Sequence, residues 1–134
     1  MTVARSETVE LRTSNDVVRA RQLVRAVAAE LGLSLVEQTK LVTAASELAR
    51  NTIDHGKGGG MTLQLLHDGP RRGIRLHFDD QGPGIADVER ALTDGYTSGH
   101  GMGLGLGGAR RLVNEFEIDT RVGEGTRVTV VRWK

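Results

Sequence analysis

The sequence predicts an α+β fold: a two-layer α/β sandwich in which helices cover one face of a mixed β-sheet. Three observations predict this class. The chain has 134 residues, the usual size of one domain. Its segments have either the period-2 apolar pattern of strands or the period-3.6 pattern of helices, and these follow the order β-α-α-β-β-α-α-β-β. No internal repeat interrupts that order. We therefore expect a single domain over residues 1–134.

The first third of the chain predicts one strand and two helices. Apolar and polar residues alternate first, as in a half-buried strand. A helical stripe then stops at Gly32, and Ser34 with Glu37 forms a capping box for the next helix. The predicted elements are a strand over 7–12, a helix with Ser14 or Asn15 as its N-cap, and a helix from Ser34 to about His55.

The rest of the chain predicts a hairpin, two helices and two closing strands. Residues 93–100 lack periodicity and are the best candidate for a mobile segment. The segment 93–102 is short for a lid over a site. The predicted elements are strands over 61–67 and 73–79, a short helix over 87–92, a main helix over 104–116, and strands over 117–121 and 127–133.

The composition excludes several kinds of partner. Eighteen basic residues oppose seventeen acidic ones, so no general field attracts nucleic acid or an acidic membrane. The absence of cysteine removes disulfides and thiolate chemistry and fits a reducing compartment. No apolar run is long enough for a signal peptide or a membrane span. We therefore expect a cytoplasmic protein that binds neither nucleic acid nor membrane.

The first motif with chemical potential lies on the second predicted helix. Glu47 and Asn51 are four residues apart, so they project from one face. A carboxylate can act as a general base, and an amide oxygen is a suitable ligand for Mg²⁺. A solvated helix face would give the same pattern.

The second motif follows the second strand of the hairpin. Asp79 and Asp80 end the strand, and the chain then turns on Gly82 and Gly84. Glycine allows the backbone to approach a flat ligand, and a carboxylate there can accept a hydrogen bond from an exocyclic amine such as adenine N6. An ordinary Asx turn explains the same residues.

The third motif is a glycine-rich run, Gly99 to Gly108, that leads into a helical pattern. Small residues leave backbone N–H groups free to surround phosphates, and a helix N-terminus favours negative charge. A flexible hinge is the alternative. The run contains a GxGxxG match, but no strand precedes it, and the chain contains no GxxxxGK[ST] sequence.

The fourth motif is Gly125-Thr126, at the start of the last strand. The hydroxyl of Thr126 could contact a base directly or through water. A β-turn that ends in a strand residue is an equal alternative.

Together, in this order, the four motifs resemble those of the Bergerat ATP-binding fold, which gyrase and histidine kinases share. The resemblance covers nearly the whole chain. It implies that Glu47 is the general base, that Asn51 binds Mg²⁺ and the nucleotide, and that Asp80 contacts adenine N6. It assigns the remaining ATP contacts to Gly82 and Gly84 beneath the base, to Thr126 beside it, and to Gly101, Met102, Gly103, Leu104, Gly105 and Leu106 around the phosphates.

Within that group the chain is most similar to small bacterial serine/threonine kinases that regulate sigma factors, including stressosome kinases. The resemblance is carried by residues 46–51, 80–85, 105–112, 114–116 and the C-terminal residues Gly125-Thr126 and 132–134. It implies phosphorylation of a STAS-domain antagonist, with a PP2C-type phosphatase or a sigma factor as a further partner. Residues 52–56 read Thr-Ile-Asp-His-Gly, closer to anti-sigma-factor kinases.

Two other functions remain open at this point. A histidine kinase catalytic domain is one, although the chain lacks an upstream dimerising helix with an acceptor histidine. A binding module is the other: the protein would sequester a sigma factor or activate a phosphatase, with nucleotide controlling its shape.

Overall fold

The computed structural model describes residues 1–93 and 105–134. Apart from Thr93, the segment predicted to be mobile lies outside the described residues. The predicted phosphate-binding residues Gly101, Met102, Gly103 and Leu104 lie outside them as well.

The described residues form five strands and four helices in the predicted order. The elements are β1 (Thr2–Leu11), α1 (Ser14–Leu31), α2 (Leu35–Asp54), β2 (Gly59–Asp68), β3 (Arg71–Asp80), α3 (Val88–Ala91), α4 (Gly105–Arg110), β4 (Glu115–Arg121) and β5 (Gly125–Trp133).

The five strands form one sheet with the order β1-β2-β3-β5-β4. The α+β class is confirmed, but the prediction of a mixed sheet was wrong, because all four strand pairings within the described ranges are antiparallel. The connection between β1 and β2 explains the difference. It contains two helices, so the chain returns to the end of the sheet at which it left β1, and β2 runs antiparallel to β1. A connection through a single helix would make the two strands parallel.

The core lies between the helices and one face of the sheet. Leu63, Leu76 and Val130 are opposite one another on three adjacent strands and are fully buried. Leu41, Leu48 and other apolar residues of α2 pack in the same core. Burying each such side chain contributes about 1.5–3 kcal/mol relative to leaving it exposed. This packing holds α2 beside the ends of β3 and β5, where the candidate site lies.

The other face of the sheet is polar. On this face Arg127 makes a bidentate pair with Asp79, at 2.5 and 3.2 Å, and His77 Nδ1 lies 2.8 Å from Thr129 Oγ1. Partial burial, and then the positive charges of Arg127 and Arg75, lower the pKa of His77. None of the helices in the described ranges is both long enough and apolar enough to cross a bilayer.

Helix α1 begins one residue earlier than predicted, with Thr13 rather than Ser14 or Asn15 as its N-cap. The carboxylate of Asp16 accepts hydrogen bonds from the backbone N–H groups of Arg12 and Thr13, at 2.8 and 3.0 Å. These bonds, with the nearby Arg19 guanidinium, hold the pKa of Asp16 below its ordinary value of 3.8.

We expect Asp16→Asn to lower the melting temperature at neutral pH, because a carboxylate accepts these bonds better than an amide does. The folded pKa of Asp16 is the lower one, so its contribution is present above the unfolded pKa and lost as pH falls through the folded pKa. The difference in melting temperature between the two proteins should therefore shrink toward acid pH. A difference that stays constant from pH 7 to pH 3 would contradict this assignment.

The predicted main helix over 104–116 was too long, because α4 ends at Arg110 and Phe116 lies on β4. The spacing of Leu112, Val113 and Phe116 fits a helix, but pairing with β5 replaces it. The N–H of Asn114 donates to Val131 O at 2.9 Å, and Asn114 Oδ1 accepts from the N–H of Trp133 at 2.7 Å.

Candidate active site

A cavity of about 360 Å³ lies between α2, the ends of β3 and β5, and the short helices α3 and α4. This volume is in the range of small-molecule sites, roughly 300–1,000 Å³. The described residues that line it are Leu48, Asn51, Thr52, His55, Gly56, Phe78, Asp80, Pro83, Gly84, Ile85, Ala86, Asp87, Arg90, Ala91, Gly105, Leu106, Thr126 and Val128.

Helix α2 forms one wall of the cavity. Leu48, Asn51, Thr52 and His55 have the spacing of a single helical face, and all four line the cavity. Asn51, a predicted site residue, therefore lies in the wall of the cavity. Glu47 is half-buried and precedes Asn51 by one turn on the same stripe, but it is not itself among the described lining residues.

Strands β3 and β5 form the floor. Phe78 pairs with Val128 and Asp80 pairs with Thr126, and all four residues line the cavity. Because side chains alternate along a strand, Asp79 and Arg127 lie on the opposite face of the sheet. The structure therefore brings together Asp80 and Thr126, which are 46 positions apart in the printed sequence.

The carboxylate of Asp80 has one oxygen engaged and one available. Its Oδ1 accepts a hydrogen bond from the N–H of Gly82 at 2.9 Å, which is the Asx turn considered as an alternative. Its Oδ2 accepts no hydrogen bond from the described residues. The turn and a binding role are compatible, because the turn fixes the carboxylate and leaves one oxygen for a ligand.

Of the two glycines in the turn, Gly84 lines the cavity and Gly82 does not. Gly82 instead packs against Gly56, because a Cβ placed on Gly82 would lie 2.8 Å from Gly56 Cα. Gly84 has a left-handed φ of 76°, and a Cβ there would lie 2.3 Å from Arg121 O. Both positions therefore require glycine for close approach.

A side chain at Gly84 would have two costs, the strain of a left-handed backbone and a collision with Arg121 O. Gly123 has the strain without the collision, so replacing it measures the strain alone. Gly123→Ala should cost about 1–2 kcal/mol, because its φ of 81° is left-handed and a Cβ there has nothing within 4 Å. Gly84→Ala carries similar strain plus the contact with Arg121 O, so we expect a loss of about 3 kcal/mol or more. Urea unfolding of both variants measures the difference, and equal losses would contradict the collision.

Thr126 is held by a hydroxyl that the sequence analysis missed. Thr126 Oγ1 lies 2.8 Å from Thr120 Oγ1, and Thr120 Oγ1 also accepts from the N–H of Ile85 at 2.9 Å. Thr120 thus joins β4 and β5 to the turn that contains Gly84. Only the pairing of β4 with β5 reveals this contact, since no motif surrounds Thr120.

Helix α4 closes the cavity at its first residues. Gly105 and Leu106 line it, and Gly105 has a left-handed φ of 68°. Of the six residues of the glycine-rich run predicted to bind ATP, these two are therefore placed at the cavity.

Comparison with known proteins identifies the fold that this site belongs to. Residues 11–132 match the family model described as the histidine kinase-like ATPase domain. The chain belongs to this family.

The chain also matches curated proteins over most of their length. The chain is 40% identical over 125 residues to the serine/threonine-protein kinase RsbT of Bacillus subtilis, covering 93% of this chain and 94% of the relative. It is 31% identical over 120 residues to the anti-sigma F factor of Thermoanaerobacter sp. (strain X514), covering 85% and 82%.

Solved structures agree with the fold. The structure of the RsbU and RsbW domains of a Mycobacterium tuberculosis protein matches with a TM-score of 0.68 and 24% identity, over 98% of this chain and 33% of that chain. The mycobacterial sensor histidine kinase MprB matches with a TM-score of 0.56 and 21% identity, over 96% and 97%.

Among the lining residues to which the sequence motifs assign no role are two polar side chains, His55 and Arg90, and the glycine that follows His55. His55 and Gly56 follow Asn51 at the end of α2, and Arg90 lies on α3. Arg90 is the one Lys or Arg residue among the described residues of the lining. The sequence did carry a signal for His55, since it continues the helical spacing from Asn51.

The side chains of the cavity fit a magnesium ion that is bound mainly through substrate phosphates and water rather than through protein groups. Within residues 1–93 and 105–134, no group of three His, Asp or Glu side chains could hold a metal. Mg²⁺ is commonly bound through one or two protein oxygens together with substrate phosphates and water. The amide oxygen of Asn51, inside the cavity, can supply one such ligand.

Proposed function

We propose that the protein is a serine/threonine protein kinase that uses Mg-ATP to phosphorylate a small STAS-domain regulatory protein in a partner-switching pathway. The observation that carries this proposal is the convergence of Asn51, Asp80 and Thr126 on one cavity, with Glu47 on the same stripe of α2. The 40% sequence identity to a serine/threonine-protein kinase, over nearly the full length of both chains, supports the proposal.

The nucleotide would lie across the cavity from the sheet to α4. Adenine would bind at the floor, with its N6 amine donating to Asp80 Oδ2 and with Thr126 beside the ring. Gly84 would allow close approach of the base, and Gly82 supports the turn from outside the cavity. The phosphates would extend toward Asn51 and toward Gly105 and Leu106 at the start of α4. We also propose that Gly101, Met102, Gly103 and Leu104 contribute phosphate contacts.

Glu47 would act as the general base. It would take the proton from a serine or threonine hydroxyl of the bound protein as that oxygen forms its bond to the γ-phosphorus. The bond between the γ-phosphorus and the bridging oxygen breaks, and ADP leaves with the electron pair. Mg²⁺ held by Asn51 and the phosphates would offset negative charge. The products are ADP, a phosphorylated side chain and one proton.

Transfer of labelled phosphate tests this function. The protein is incubated with γ-labelled ATP, Mg²⁺ and candidate STAS-domain proteins, and the products are separated and identified by mass spectrometry. We expect label on a serine or threonine of the partner. A protein that binds ATP but labels none of the STAS-domain proteins of its own genome would contradict the proposed activity.

A binding module is the second candidate function, and the likeness to anti-sigma F factors favours it. In this role a single domain over residues 1–134, acting in the cytoplasm, would hold a sigma factor or activate a PP2C-type phosphatase, with nucleotide controlling its choice of partner. Co-purification distinguishes the two functions. A stable complex that forms with the partner unlabelled supports the module, and a labelled partner supports the kinase.

A further inference from the structure

Glycines from three separate parts of the fold lie against Asp80, two of them beside its side chain and one beside its backbone. A Cβ placed on Gly56 would lie 2.3 Å from Asp80 Cγ and 2.5 Å from its Oδ2. A Cβ on Gly125 would lie 2.2 Å from Asp80 O. On the third side, Gly82 donates its N–H to Asp80 Oδ1. A side chain at position 56 would therefore collide with the side chain of Asp80, and one at position 125 would collide with its backbone.

Gly56 differs from the other two glycines in what it contacts. It is buried, and its backbone is not in the left-handed region, so an L side chain is compatible with its conformation. The three atoms nearest to its added Cβ are the Cβ, Cγ and Oδ2 of Asp80. Asp80 is thus the nearest obstacle to a side chain at position 56.

Gly56 also connects the two halves of the cavity. It follows the last turn of α2, where its N–H donates to Asn51 O at 3.2 Å. A Cβ placed on Gly82 would lie 2.8 Å from Gly56 Cα and 2.9 Å from Gly56 O. Gly82 in turn donates its N–H to Asp80 Oδ1. The helix end that carries Asn51 is therefore packed directly against the residue on the floor of the cavity.

From these contacts we infer that Gly56 is a positioning residue that sets base selectivity by fixing the orientation of the Asp80 carboxylate. With no side chain at position 56, Oδ1 keeps its bond to Gly82 and Oδ2 stays beside the cavity. An added carbon at position 56 would lie 2.4 Å from Asp80 Cβ and 2.5 Å from Oδ2. Rotation of the side chain cannot move Cβ away, so Asp80 must shift as a whole, and Oδ2 shifts with it. This inference rests on the nucleotide binding proposed above.

The test compares ATP with the triphosphate of purine riboside, which lacks the 6-amino group of adenine. By calorimetry the wild type should bind ATP more tightly, by on the order of 10- to 100-fold, the value of one hydrogen bond to a charged acceptor. In Gly56→Ala the ratio should fall to within about 3-fold, while affinity for the purine analogue changes little. A variant whose cavity is merely damaged would lose affinity for both ligands and keep the ratio.

Gly60→Ala is the matched control. Gly60 lies four residues after Gly56, in β2, but a Cβ there would make only ordinary contacts, the nearest at 3.5 Å from Val9 O. It should retain the wild-type ratio. In the double variant Gly56→Ala/Asp80→Ala the ratio should equal that of Asp80→Ala, because both changes act on one contact.

Each outcome decides between the inferences. A wild type that binds neither triphosphate overturns the proposed function itself. If the wild type and Gly56→Ala prefer ATP equally, only the role of Gly56 is overturned. If the wild type has no preference for ATP, both the assignment of Asp80 to adenine and the role of Gly56 are overturned. If Gly56→Ala does not fold, Asp80→Gly should restore folding of that chain by removing the obstacle, and failure to restore it contradicts the inference.

Discussion

Replacing Glu47 with glutamine is expected to slow phosphoryl transfer by a factor of about 10²–10⁴ while ATP still binds. The change preserves the size of the side chain and removes its ability to accept a proton at neutral pH. Glu47 lies one turn from Asn51 and is not among the described residues that line the cavity, so its loss should leave the nucleotide contacts intact. Single-turnover transfer and ATP calorimetry measure the two effects separately.

Asp54→Asn is the matched control for the loss of one negative charge on the same helix. Asp54 is exposed at the end of α2 and is not among the described residues that line the cavity. It should change the transfer rate by less than about 3-fold, the scale of a screened surface charge. Transfer by Glu47→Gln at the wild-type rate, with ATP bound, would show that another group is the base.

The parts of the fold that the sequence predicted well are those specified by local signals. The capping box of Ser34 and Glu37 forms as predicted, with hydrogen bonds of 3.0 and 3.1 Å. Gly32 ends α1 with a left-handed φ of 91°. Period-2 patterns located the β2–β3 hairpin to within two residues at each end. In each case the residues that determine the structure are neighbours in the chain.

The parts that it did not predict depend on contacts between distant segments. Residues 111–116 fit a helical stripe, and only the presence of β5 beside them makes Phe116 a strand residue. The antiparallel pairing of β1 with β2 depends on the return of the chain through both α1 and α2, which no single segment reveals.

The candidate site shows the same division. Its motifs marked Asn51, Asp80 and Thr126, and the structure places these three at one cavity. Gly56 and Thr120 were missed because each acts on a residue far away in the sequence, Asp80 in one case and Thr126 in the other. A glycine that leaves room for a side chain, or a hydroxyl that orients another, has no pattern of its own.

Asn51→Ala is expected to reduce phosphoryl transfer by about 100-fold or more and to remove most of the effect of Mg²⁺ on ATP affinity. Asn51 supplies a neutral oxygen inside the cavity, within the stripe that also contains Glu47. Without that oxygen the protein has one fewer ligand to hold the ion against the phosphates. Adding Mg²⁺ should therefore increase the ATP affinity of the variant only slightly.

Adenosine separates this effect from damage to the cavity. It carries no phosphates, so its affinity should be the same in the wild type and in Asn51→Ala, with and without Mg²⁺. Asn15→Ala, at the exposed start of α1, is the control for loss of an amide elsewhere. If Mg²⁺ strengthens ATP binding equally in the wild type and in Asn51→Ala, the ion is held by other groups. Asn51 would then line the cavity without acting as a metal ligand.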